Sequence, residues 1–107
     1  MIVVTTDTVA DYDITKTLGT VIGNTIRARH LGKDISAGLR SLVGGEITEY
    51  TGMMAESREQ SLQRMLDRAK QLNADAIIGV RFQTSMIMQG SAELLVYGTA
   101  VNLKQNK

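Results

Sequence analysis

Four arginines, Arg27, Arg29, Arg40 and Arg81, are the side chains of this 107-residue chain best suited to hold an anion. A guanidinium fork grips a carboxylate or phosphate through two parallel hydrogen bonds, and these four would form an anion-binding site if an oligomer gathered them. Soft or borderline metals ask for thiolates or clustered imidazoles, whereas the chain has no cysteine and a single histidine, His30, beside Arg29 near the end of a predicted strand. That argues against a tight metal site within one chain, and His30 reads as a surface or interface histidine unless a ring brings several copies of it together. Met86 and Met88 alternate onto one side of a strand and offer thioethers, yet methionines there ordinarily serve as adaptable core or interface fillers. Glu46 and Glu49 fall three apart at the start of a predicted helix, where exposed amides favour carboxylates in any case. Asp7, Asp11 and Asp13 lack the glycine and terminal glutamate of a calcium loop. Metal ligands and cofactors therefore stay unassigned.

Catalytic motifs are missing too. The chain has no Gly-x-Ser-x-Gly elbow, no phosphate-binding Walker loop, no dinucleotide fingerprint and no His-Glu-x-x-His. Gly19 with Gly23, and Gly44-Gly45, could bring amides to a phosphate. Close approach of another backbone explains the first pair better, and a helix end explains the second. Twelve basic against eleven acidic side chains give a net charge of +1, which supplies no strong field for nucleic acid or membrane. One phenylalanine and three tyrosines leave base stacking poorly supplied, so nucleic acid is not an expected partner. The charges are unevenly placed: residues 1–15 carry only acids, and residues 16–45 carry Lys16, Arg27, Arg29, Lys33 and Arg40 against Asp34. A solvated face with intersubunit ion pairs accounts for this. The longest apolar runs are far short of the roughly 20 residues that span a bilayer. The start, Met1-Ile2-Val3-Val4, reads as a strand rather than a secretion signal, so a cytoplasmic location is expected.

The elements that must position these residues follow from periodicity. With no proline, breaks fall to Gly, Asn and Asp, and the length suits one domain spanning 1–107. Strands are predicted over 2–6 and 17–29. A short helix capped by Asp34 should run to about Leu42 and end at Gly44-Gly45. A long helix is predicted from about Glu49 to Leu72, because Leu62, Met65, Leu66, Ala69 and Leu72 form one apolar stripe. Asn73 suits the left-handed position that ends it. Strands over 76–82 and 92–103, turning at Gln89-Gly90, complete the set.

With the turn centred there, Ile78 should oppose Val101, Val80 oppose Thr99 and Phe82 oppose Tyr97, giving the apolar face on which the long helix lies. The reverse face then carries the six residues Ile77, Gly79, Leu94, Val96, Gly98 and Ala100, together with Arg81, and is too apolar to face water. With no second helix layer to spare, a neighbouring subunit is the expected cover, which makes these six the candidate interface.

The stretches Gly19-Thr20-Val21-Ile22-Gly23, Lys33 through Gly45, Leu72 through Val80 and Tyr97-Gly98-Thr99-Ala100-Val101 resemble, in order and spacing over about residues 18 to 103, the signature blocks of the bacterial YbjQ family. Asn73 stands where that family commonly has Gly, and it serves the same left-handed cap. The resemblance implies an α+β domain: an antiparallel-rich sheet with one long and one short helix packed on it, a dodecin- or YbjQ-like subunit of a homopentameric ring. It also carries a heavy-metal-binding label with no established reaction. The expected function is therefore a non-enzymatic oligomeric module binding a small ligand, metal or partner at a subunit interface. A metal-binding protein and an enzyme with an intersubunit site are the alternatives.

Overall fold

The computed structural model describes residues 1–28, 48–88 and 90–106. Their order is β1 (Ile2–Val3), β2 (Tyr12–Ala28), α1 (Thr48–Gln71), β3 (Ala76–Met88) and β4 (Ser91–Gln105). They form an α+β unit whose four-stranded sheet has the order β1-β3-β4-β2. β1 lies parallel to β3, and the other two pairings are antiparallel. The expected short helix and its Gly44-Gly45 end lie outside the described residues.

The long helix forms where the apolar stripe places it, and it ends as Asn73 dictates. Asn73 has φ 59°. Its amide donates to the Lys70 carbonyl at 3.0 Å and the Ala74 amide donates to the Ala69 carbonyl at 3.1 Å, so two carbonyls of the last turn find partners. Met65 and Ala69 are fully buried and Leu62 and Leu66 half-buried against the core. Leu72, expected in the same stripe, is instead exposed beyond the last helical turn.

β2 starts five residues earlier than its alternation suggests, because register shifts between Ile14 and Lys16 and between Thr17 and Gly19 break the period of two. Gly19, at φ 126°, sits at the second shift, a backbone setting that a β-carbon disfavours. The β3–β4 hairpin also differs from expectation. Its tip pairs Met88 with Ser91, as a turn at Gln89-Gly90 requires, but one extra β3 residue enters between Met86 and Met88 and another between Ile78 and Arg81. Ile78 therefore opposes Thr99 rather than Val101, and Arg81 rather than Phe82 opposes Tyr97. Gly79, at φ 60°, supplies the left-handed residue of the second irregularity. Because of it, Ile77 and Val80 both reach the core under α1.

α1 runs antiparallel to β2, over β2 and β4. The face it covers is the one carrying Val21, Gly23 and Thr25 on β2 and Leu94, Val96, Gly98 and Ala100 on β4. A β-carbon on Gly23 would collide with the Ser61 carbonyl oxygen and lie 2.6 Å from the Met65 amide nitrogen, so helix and strand backbones touch directly there. Thr25, Ser57 and Ser61 are buried at this seam. Ser61 Oγ donates to the Leu94 carbonyl at 3.0 Å, and Thr25 Oγ1 lies 3.3 Å from the Ser57 carbonyl oxygen and 3.0 Å from Ser61 Oγ. Buried hydroxyls are thus satisfied where small side chains let the helix sit close.

Candidate assembly surface and ligand residues

Five of the six residues expected to form an interface are buried beneath the chain's own helix instead, and the sixth, Gly79, sits half-buried at a bulge. Ile77, Val96 and Ala100 belong to the cluster beneath α1, and Leu94 is equally buried. Gly98 is buried too: a β-carbon there would come within 2.6 Å of Ile77 Cγ2 and 3.0 Å of Val80 Cγ2. Gly79 is shaped by its bulge, its amide donating to the Thr6 carbonyl at 2.9 Å. Close approach of this chain's own helix backbone is found at Gly23, whereas Gly98 is crowded by Ile77, Ile78 and Val80 of the neighbouring β3. The correction is one of face: α1 lies on the smooth side, which leaves the other side of the sheet open among the described residues.

That other side carries Thr20, Ile22, Asn24 and Ile26 from β2, Glu93, Leu95, Tyr97 and Thr99 from β4, and Ile78, Arg81, Gln83 and Ser85 from β3, as the register dictates. Ile26 is 61% exposed and Ile22 and Tyr97 are exposed as well. Asn24 Nδ2 donates to Glu93 Oε2 across two strands at 3.2 Å. The helix also leaves part of its own side bare. Phe82 and Met86 share the face of Val96 and Ala92, yet are 49% and 80% exposed because α1 spans β2 and β4 and stops short of β3. Met86 and Met88 are therefore not core fillers in the single chain, and the register shift between them separates their directions.

The arginines do not converge. Arg27, on the helix side of β2, donates from Nε to Ser57 Oγ at 3.0 Å and from Nη2 to Gln60 Oε1 at 2.7 Å, and lies 3.5 Å from Glu56 Oε1. Arg81, on the opposite side and two strands away, donates from Nη1 to the Thr5 and Val80 carbonyls at 2.9 and 2.8 Å. Arg29 and Arg40 lie outside the described residues. Sequence reasoning missed a different arginine role: Arg64 and Arg68 reach from α1 to the carbonyls of Asn24 and Ile22 at 2.6 and 2.8 Å. The i, i+4 spacing of these arginines on the polar side of α1 is their only sequence signal. Arg68 also borders an open depression lined by Thr20, Val21, Ile22, Gln71 and Leu72.

Metal donors are sparse. Among the described residues no three His, Asp or Glu side chains gather, so Asp7, Asp11 and Asp13 form no cluster. His30 and Glu46 lie outside the described residues, as does the side chain of Glu49. Among the described residues no helix is long and apolar enough to cross a membrane.

A two-layer α+β unit with one sheet face covered by its own helix and the other left open by the described residues is the class these features define. The chain belongs to the YbjQ family: the family model described as "Putative heavy-metal-binding" matches residues 1–104. It is 58% identical over 103 residues to a "UPF0145 protein" of Methanosarcina acetivorans, covering 96% of this chain and 97% of the other. A "UPF0145 protein" of Archaeoglobus fulgidus is 55% identical over 104 residues, covering 97% and 96%, and one of Fervidobacterium nodosum is 54% identical over 105 residues, covering 98% and 97%. Two of these three come from archaea, which corrects the expectation of a bacterial family. The fold is similar to the crystal structure of a protein of unknown function assigned to the DUF74 family from Pediococcus pentosaceus. That match has a TM-score of 0.68 at 18% identity, covering 97% of this chain and 98% of the other. A tight heavy-metal centre within one chain does not fit the donors present, with no thiolate and one imidazole in the whole sequence.

Proposed function

We propose that the protein is a non-enzymatic, cytoplasmic homo-oligomeric module that binds a small ligand at a subunit interface. The observation that carries this reading is the open sheet face, where Ile22, Ile26 and Tyr97 stand exposed beside the half-buried Leu95 and Ile78. Together with Phe82 and Met86 around the β3 edge, they make more adjacent apolar surface than a monomer ordinarily leaves to water. In this reading a neighbouring copy supplies the missing layer, and a pentamer is the assembly expected from the family resemblance. Arg27 and Arg81, apart in one chain, would meet an anion only where two subunits join. Light scattering gives the mass of the particle, and a thermal-shift screen of phosphates, carboxylates and divalent metals then looks for the ligand. A monomer, or an assembly with measurable turnover of a bound compound, contradicts this reading.

The second reading is the metal-binding one, favoured by the description of the family model. Given the donor set, it requires ligands pooled from several copies around a symmetry axis. Calorimetric titration of the assembled protein with zinc and copper separates it from the first.

A further inference from the structure

Arg68 is fixed in place with one of its forks unused. It donates from Nη1 to the Ile22 carbonyl at 2.8 Å, and one turn earlier Arg64 donates from Nη1 to the Asn24 carbonyl at 2.6 Å, so the helix is tied to the outer edge of β2. A guanidinium carries a second, side-on fork, the parallel Nε–H and Nη2–H. Among the described residues that fork of Arg68 meets no acceptor, and the one ion pair joins Arg27 to Glu56. Arg68 borders a depression of about 320 Å³, lined also by Thr20, Val21, Ile22, Gln71 and Leu72, at the small end of the roughly 300–1,000 Å³ of small-molecule sites.

Two local features make this depression. Helix and strand backbones touch at Gly23, and the lining lies further along, next to the register shift between Thr17 and Gly19 that bends β2. Leu72 follows the last helical turn, its amide donating to the Ala69 carbonyl at 3.1 Å, and is 43% exposed, while Ile22 is 39% exposed. Two accessible aliphatic side chains therefore stand beside a single ionisable lining residue, Arg68.

We infer that this depression is a binding site for a small aliphatic carboxylate, its head on the Arg68 fork and its chain against Ile22 and Leu72. A side-on fork offers two parallel hydrogen bonds in the geometry of a carboxylate, and one positive charge balances one negative. A phosphate dianion finds only one cation in the lining, and an amine meets a like charge. Because a backbone carbonyl already holds one Nη of Arg68, little side-chain freedom is left to lose on binding. Removing the ligand's methylenes from water against the aliphatic walls adds to the hold. The site lies within one chain, so it goes beyond the interface site proposed above and does not depend on assembly.

The test is a titration of the full chain with sodium hexanoate, followed by the methyl NMR signals of Ile22 and Leu72. Both signals should move and saturate, with half-saturation near about 1 mM, as suits a ligand of so few atoms. Shortening the chain from hexanoate to butyrate should weaken binding by about twofold or more per methylene, and hexylamine should give no saturating shift. Arg68→Gln should weaken hexanoate binding at least about tenfold. Since Arg68 also ties α1 to β2, Leu72→Glu is the second variant: it lies beyond the last turn, leaves that tie intact, sets a like charge beside the carboxylate and should weaken binding too. No saturating shift in the wild type, equal binding of hexylamine or inorganic phosphate, or wild-type affinity in both variants overturns the site. A monomer that binds hexanoate contradicts only the oligomeric reading, and an assembled wild type that does not bind it contradicts only this one.

Discussion

Glycines decide where this helix can lie. Gly23 has the Ser61 carbonyl and Met65 amide where its side chain would be, and Gly98 has Ile77 and Val80. Neither obstacle at Gly23 is a flexible side-chain end. Gly23→Ala should therefore cost about 1–3 kcal/mol or more in urea denaturation, by forcing helix and strand apart. Gly98→Leu should remove the folded protein altogether, not merely its assembly; a well-folded Gly98→Leu monomer would show that Ile77 and Val80 of β3 do not crowd this position as described. The metal prediction belongs to single residues as well. With no thiolate and only His30 as imidazole, protein purified without chelator should hold no stoichiometric zinc or copper. Elemental analysis finding about one such metal per chain, lost in His30→Ala, would sink this.

Helix α1 was the most legible element, since an apolar stripe with period 3.6 and a left-handed Asn73 are local signals, and the expected Glu49 to Leu72 lies within a residue of Thr48–Gln71 at each end. The strands were legible as strands but not in register. Single extra residues at Ile87, near Gly79, and on either side of Thr17 are invisible to a rule of alternation, and two of them moved Ile78 from Val101 to Thr99. The serines on α1 carry no sequence signal of burial, because Ser57 and Ser61 have the polarity of surface residues and only the fold bonds their hydroxyls across the seam. Ser61→Ala leaves the buried Leu94 carbonyl without that donor, so it should lower stability by about 1–3 kcal/mol in urea with little change in the denaturant slope. Unchanged stability would mean water replaces the hydroxyl there.

For the molecule as a whole, the sequence led us to expect one sheet face covered by the helix and the other by a partner, but did not reveal which face the helix takes. Large apolar side chains at Ile78, Tyr97 and Val101 suggested a core, and of these Val101 is buried whereas Tyr97 is exposed; small residues at Gly98 and Ala100 suggested a subunit contact. Packing puts Gly98 and Ala100 in the core instead, Gly98 against Ile77 and Val80 of β3, while the helix backbone comes closest at Gly23. The candidate arginines were legible only as residue types, since Arg27 and Arg81 meet nothing in common within one chain. Sedimentation equilibrium of the wild type beside Ile26→Lys tests the open face most directly, because Ile26 is 61% exposed and outside the core under α1. The account predicts a wild-type particle several times the 11.7 kDa chain mass, five times by family resemblance, and an Ile26→Lys variant that is folded but shifted toward the monomer. A wild type that sediments at 11.7 kDa at micromolar concentration would contradict it.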